Sequence, residues 1–265
     1  MSLQLSLQLT LWLLSLSLVI QCTEMLAINK RLPVNTPWAW SNVRGDFAAW
    51  PSSLQTILDF IFFDRFKWLL YSQFLLILLL PLWPNVTLIV ALLLCQLMIG
   101  FRFRGIFNGG SDYMTMTVIL GLLLTLIPNQ PPTLLVFGLT LIAIQTTLSY
   151  FIAGVVKIKT PAWRTGLALR VFLQHSNYSV PVPIKTLAQN PWLTSIASWG
   201  VMIWELTFPI IWFKPSLTMP YLALAVAFHI GNFVSFGINR FVFAWLASYP
   251  ALYFCTHYFS SLKNS

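Results

Sequence analysis

Charge is what this chain has least of. Only 8% of its 265 residues are Asp, Glu, Lys or Arg, against roughly 25% in an ordinary soluble domain. With 58% hydrophobic residues and a mean hydropathy of +0.78, a water-soluble fold is excluded and an integral membrane protein is implied. Cysteine is scarce too. Cys22, Cys95 and Cys255 stand apart in apolar runs, with neither a metal-ligand spacing nor a disulfide framework, so they read as packing residues and no metal site is expected. No Lys or Arg precedes Lys30, so the first apolar stretch lacks the basic start of a signal peptide. Val19-Ile-Gln-Cys22 also lacks the small residues that precede a lipidated cysteine. That stretch reads as a helix. No internal repeat or low-complexity linker is visible, which weighs against a transporter built from two related halves and favours one compact membrane domain over residues 1–265.

What is present is a series of apolar runs. A spanning helix needs about 20 mostly apolar residues, and the sequence predicts an all-α polytopic bundle of about eight spans plus interfacial helices. The spans are approximately Leu9 to Met25, Trp68 to Trp83, Val86 to Phe101, Tyr113 to Ile127, Thr133 to Val156, Leu193 to Phe213, Tyr221 to Ser235 and Phe241 to Phe259. Pro84, Pro128, Pro131, Pro132 and Pro191 mark ends, whereas Pro209 and Pro250 lie inside apolar runs and should kink them. Between residues 30 and 67, apolar residues at Leu54, Ile57, Leu58, Ile61 and Phe62 have the spacing of an interfacial helix. Residues 158–192, with Trp163, His175, Pro181, Pro183 and Trp192, predict a short amphipathic segment followed by an irregular loop.

Basic residues orient the bundle, because Lys and Arg accumulate on cytoplasmic connections. Lys30, Arg31, Arg44, Arg65, Lys67, Arg102, Arg104, Lys157, Lys159, Arg164, Arg170, Lys185 and Arg240 fall on one side. Lys214 and Lys263 fall on the other, which accounts for all 15 Lys and Arg. Both termini are therefore predicted on the non-cytoplasmic side. This division, with anionic headgroups as the partner, accounts for a pI near 9.8 without invoking nucleic acid.

Ionisable groups inside spans are costly and need a reason. Tyr150, Gly154 and Lys157 share a helix face at i, i+4 and i+7. Lys157 reads either as an amine reaching the headgroups or as a desolvated base. Glu205 sits mid-run and must be paired, protonated or in a polar cavity. His229 and Asn232, three apart on one face, could present an imidazole and an amide together, although a buried histidine is more often a packing residue. Asn108-Gly-Gly-Ser111-Asp112-Tyr113 precedes the fourth span; Ser111 and Asp112 read first as helix-capping chemistry and second as an anion-receiving helix start. Asn85-Val-Thr87 and Asn177-Tyr-Ser179 match the glycosylation triplet, a pattern too frequent to carry weight.

Several of these segments, taken in order, resemble one family. Tyr150-Phe-Ile-Ala-Gly-Val-Val-Lys157 with Trp163 and Gly166, then Trp204-Glu205-Leu206, Phe228-His229-Ile-Gly-Asn232 and Leu246-Ala-Ser248-Tyr249-Pro250 are similar to the membrane helices of HTTM-domain proteins and vitamin K-dependent gamma-carboxylases. The resemblance covers roughly residues 85–256. It implies a site between helices for a quinone or hydroquinone, with Lys157 as the base that deprotonates it and Glu205, His229, Asn232 and Tyr150 as positioning groups. Two departures count against a full protein gamma-carboxylase: Ser111 stands where the carboxylase pattern has histidine, and the large soluble domain after the membrane helices is not expected here. A smaller quinone-linked lyase or oxidoreductase, or a non-catalytic membrane subunit or assembly factor, are the two readings left. The lipid bilayer is the expected partner, with a lipophilic small molecule under the first reading and no nucleic acid under either.

Overall fold

The computed structural model describes residues 1–29, 38–63, 65–103, 110–129, 131–175 and 179–263. Lys30, Arg31, Arg104, Asn108, Gly109 and Asn177, which the sequence reading used, lie outside the described residues. Every element among those described is helical: α1 (Leu3–Asn29), α2 (Trp40–Val43), α3 (Ser52–Phe62), α4 (Phe66–Leu79), α5 (Val86–Arg102), α6 (Gly110–Thr125), α7 (Pro132–Lys159), α8 (Pro161–Arg164), α9 (Leu167–His175), α10 (Val182–Leu187), α11 (Pro191–Thr207), α12 (Thr218–Phe236), α13 (Asn239–Leu246) and α14 (Tyr249–Lys263). Short 3₁₀ turns at Arg44–Phe47, Phe208–Trp212 and Pro215–Leu217 complete the set.

Four helical stretches are long and apolar enough to cross a membrane: Leu3–Asn29, Pro132–Lys159, Pro191–Trp212 and Pro215–Phe236. Phe66–Leu79, Val86–Arg102 and Gly110–Thr125 are shorter apolar helices beside them. The eighth predicted span differs from expectation. Rather than one kinked helix over Phe241 to Phe259, the chain forms α13 and α14 with a break at Ala247 and Ser248. Pro250 explains it, since a proline is accommodated in the first turn of a helix and not in its interior. At Pro209 the α-helical α11 gives way to the 3₁₀ turn Phe208–Trp212, a tighter winding. The segment expected to be irregular contains α10. The expected interfacial helix is α3, which buries Leu58 and Phe62 and exposes Leu54, Ile57 and Phe60. Asp59 anchors it, accepting from Trp40 Nε1 at 2.8 Å and pairing with Arg44 at 2.8 Å.

Inside and outside are distinguished less by hydrophobicity than by size and polarity. Along α1, Leu11, Leu14, Leu18, Cys22 and Met25 face inward while Leu5, Leu9, Trp12 and Leu16 face outward. The buried polar residues Ser6, Thr10, Ser15, Ser17 and Gln21 all belong to the inner side. This is the pattern of a helix solvated by lipid, where polar groups turn to the protein and association rests on close packing.

Helices α6 and α7 cross most tightly at two glycines. A methyl group on Gly121 would sit 2.7 Å from the Gly138 carbonyl oxygen, and one on Gly138 would collide with Thr125 and the Gly121 carbonyl. Within α6, Thr125 donates to the Gly121 carbonyl at 2.8 Å, which keeps its hydroxyl folded against its own helix. Asn85 caps α5 by accepting from the Leu88 amide at 3.0 Å. Asn190 caps α11 in the same way through the Trp192 amide at 2.9 Å.

Gly121→Ala is expected to destabilise the bundle by about 1–3 kcal/mol, the usual cost of overpacking, read as a lower thermal-unfolding midpoint in detergent. Gly200→Ala, where nothing lies within 4 Å of the added methyl, should leave the midpoint unchanged.

Candidate functional site

The face shared by Tyr150, Gly154 and Lys157 packs against α11, and glycine makes the approach possible. A methyl group at Gly154 would lie 2.8 Å from the Leu206 amide nitrogen and 3.0 Å from Glu205 Cβ. One turn beyond, Lys157 Nζ donates to both carboxylate oxygens of Glu205, at 2.6 and 2.7 Å. The Glu205 side chain is 2% exposed and that of Lys157 16%, so each charge is answered by the other within the protein. Lys159, two residues on, is exposed. The short helices that follow are pinned to α11: Ser198 Oγ donates to the Trp163 carbonyl at 2.7 Å and Trp199 Nε1 to the Arg164 carbonyl at 3.0 Å. Gly166, with φ +72°, allows the turn to lie on the backbone of Ser195.

These contacts border a partly open cavity of about 390 Å³ whose wall includes Lys157, Trp163, Phe172, Phe228, Asn232 and Phe241. Its volume falls within the usual range for small-molecule sites, and an apolar wall with a few polar groups is their usual chemistry. Lys157 Nζ lies 5.5 Å from the centre of the Trp163 ring. Ser198 and Asn232 are the other polar side chains on the wall. Asn232 is half-buried.

His229 and Tyr150 belong to a different group. Tyr150 Oη lies 2.8 Å from His229 Nε2 and 2.7 Å from Tyr249 Oη, linking α7, α12 and α14 through one hydrogen-bonded chain. Aromatic rings enclose it: Tyr150 stacks on Phe208 at 4.3 Å and His229 on Trp245 at 5.0 Å. Among the described residues His229 Nδ1 has no hydrogen-bond partner. His229 and Asn232 are therefore not brought together in one place: Asn232 is on the cavity wall, and His229 is in the aromatic cluster behind Phe228 and Phe241. Residue chemistry alone gives Tyr249 no role, because it is one of several hydroxyl-bearing residues in the last apolar run, with Ser248, Tyr253, Thr256 and Tyr258.

Ser111 and Asp112 form part of a third group. Both lie in the first turn of α6, and Ser111 is buried. The Asp112 carboxylate pairs with Arg240 and accepts from Gln21 Nε2 at 3.4 Å. Gln21 Oε1 in turn accepts from Gln96 Nε2 at 2.9 Å. Arg240 also lies 4.0 Å from Glu24, which accepts from Asn239. Arg240, counted from sequence as a residue of a basic connection, is 4% exposed and joins α13 to α1 and α6. Among the described residues no group of three or more His, Cys, Asp and Glu is placed to hold a metal ion.

Residues 128–257 match the family model of the HTTM domain, just under half of the chain. The matched stretch runs from before α7 into α14 and holds Tyr150, Lys157, Glu205, His229, Asn232 and Tyr249, while Ser111 and Asp112 lie outside it. No curated protein and no solved structure matches the chain.

Tyr150→Phe is expected to leave His229 and Tyr249 without their shared partner and to cost about 1–3 kcal/mol, seen as a lower unfolding midpoint. Arg240→Met removes the cation paired with Asp112 and should cost more, about 3–5 kcal/mol for a broken buried pair, with Arg240→Met/Asp112→Leu recovering part of the loss in the same assay.

Proposed function

Taking the chain as an integral membrane protein of the HTTM type, we propose that its interhelical cavity binds a quinone-like lipophile and that Lys157, held by Glu205, acts there as a base. The observation that carries this reading is a lysine and a carboxylate joined at the wall of an apolar, aromatic-lined cavity. A lysine that served only to reach the headgroups would have no need of an inward partner. Trp163, Phe172, Phe228 and Phe241 suit a flat ring, and the Asn232 amide can fix one of its oxygen atoms. A hydroquinone bound there would supply an ionisable hydroxyl and two reducing electrons.

The pair accounts for how an amine could accept a proton. For Lys157 to act as a base it first passes a proton across the 2.6 Å contact to Glu205, breaking an N–H bond and forming an O–H bond. The free amine then takes the proton of a ligand hydroxyl. The pair gains one positive charge as the ligand oxygen gains one negative, so charge balances within the site. Tyr150, His229 and Tyr249 contribute at one remove, by fixing the rotation of α7 and α12 on which Lys157 and Asn232 depend. In this reading the Lys157 end of the bundle faces the cytoplasm and both termini face away, following the distribution of basic residues.

A second reading has support of its own. Both oxygens of Glu205 are taken by Lys157, as in a clamp between α7 and α11, and a non-catalytic membrane subunit would need nothing more.

Mass spectrometry of lipids extracted from the purified protein separates the two. The catalytic reading predicts a co-purifying quinone-type lipid, lost when Val201, which also lines the cavity, is enlarged in Val201→Trp. Lys157→Met should retain the lipid and slow proton removal from an added hydroquinone about 10²–10⁴-fold, the usual contribution of a general base. Identical extracts from wild type and Val201→Trp, with partner recovery rather than chemistry altered in Lys157→Met, would favour the clamp.

A further inference from the structure

Lys157 and Glu205 do not face the cavity equally. Lys157 lies on the wall and Glu205 does not; the carboxylate is 2% exposed, behind an ammonium that keeps 16% of its side chain open. An ammonium has three N–H donors. Two are directed at Glu205, at 2.6 and 2.7 Å, which leaves one for the cavity. The other polar side chains on the wall are neutral: the Asn232 amide, and the Ser198 hydroxyl, whose proton is already given to the Trp163 carbonyl. No second cation lines the cavity among the described residues.

An unpaired ammonium on such a wall would make a fatty-acid trap. A carboxylate arriving from the membrane would gain a charge-assisted hydrogen bond and burial of its tail together. Glu205 removes that attraction twice: it occupies two of the three donors and sets a negative charge directly behind them. What Lys157 still offers is one N–H donor, beside the neutral Asn232 amide, in a net-neutral and mostly apolar space.

We propose that the cavity selects a neutral lipophile carrying an oxygen acceptor, such as a carbonyl, ester or hydroxyl group, and that Glu205 is the specificity-determining residue that turns lipophilic anions away. The inference rests on the cavity reading of the preceding subsection and adds the charge of the occupant and the residue that sets it. Glu205 acts through Lys157 and not by touching the ligand.

The test uses two naphthyl-labelled probes with the same tail, a fatty acid and its methyl ester. Equilibrium binding is measured on the full chain in nanodiscs of uncharged lipid, at a mildly alkaline pH where the acid is ionised. Wild type should hold the ester at least about tenfold more tightly than the acid, a difference of about 1.4 kcal/mol. Glu205→Gln should reverse the order, the acid gaining about tenfold or more relative to the ester. Lys157→Met/Glu205→Gln, which removes both charges, should return the preference to the ester. Equal or tighter binding of the acid by wild type overturns the proposal on its own, even where Glu205→Gln does not fold. An unchanged ratio in folded Glu205→Gln overturns it as well. Binding of neither probe to wild type overturns the cavity reading and this inference with it, and is distinguishable from a mere failure of selectivity.

Discussion

Glu24, Asp112 and Glu205 are three of only 6 acidic residues in the chain, and each lies on a helix that is otherwise largely apolar. A carboxylate at such a position cannot keep its charge against hydrocarbon, so each needs a cation or a donor from another helix. The answers are Lys157 for Glu205 and Arg240 for Asp112, with Asn239 and Arg240 together at Glu24. These contacts fix which helices meet and at what rotation: α7 with α11 in one case, α13 with α1 and α6 in the other. Close-packed glycines then set how near the helices come, as Gly154 does beneath the Lys157–Glu205 pair and Gly121 with Gly138 at the α6–α7 crossing.

The candidate site follows from the first of these contacts. Lys157 is drawn inward by Glu205, the loop after α7 is folded back on α11 by Ser198 and Trp199, and the space left over is the aromatic-walled cavity. Residues 237–241 connect the two charge systems. Gly237, at φ +71°, ends α12 in the left-handed region, where glycine carries no steric penalty. Ile238 and Phe241 then line the cavity, while Asn239 and Arg240 between them hold Glu24 and Asp112. The cavity wall and the second ion cluster are thus built on one turn.

Much of the helix order was legible in the sequence because apolar runs bounded by proline are a strong signal: α4 to α7, α11 and α12 lie where those runs predicted them. The partnership of residues was not legible to the same degree. In a soluble helix the apolar stripe reveals which face is buried, but on α1 leucines occupy both faces, so periodicity carries little information about rotation. Asp112 and Arg240 are 128 positions apart, and local chemistry described one as a cap and the other as a loop charge. His229 and Asn232 share a helix face by spacing, yet a three-residue step still turns each toward different neighbours. The break at Ala247 and Ser248 was signalled by Pro250, but proline inside an apolar run is consistent with a kink or a fresh helix start, and only packing decides between them.

The central claim is that Lys157 is satisfied inside the bundle by Glu205 rather than at the headgroups. Solid-state NMR on protein in phospholipid bilayers, with Lys157 labelled at ¹⁵Nζ and Glu205 at ¹³Cδ, tests it directly. The account predicts a strong dipolar coupling between these two nuclei, as N–O separations of 2.6 and 2.7 Å require. A ¹⁵Nζ signal coupled to lipid phosphorus, with no transfer to Glu205, would contradict it.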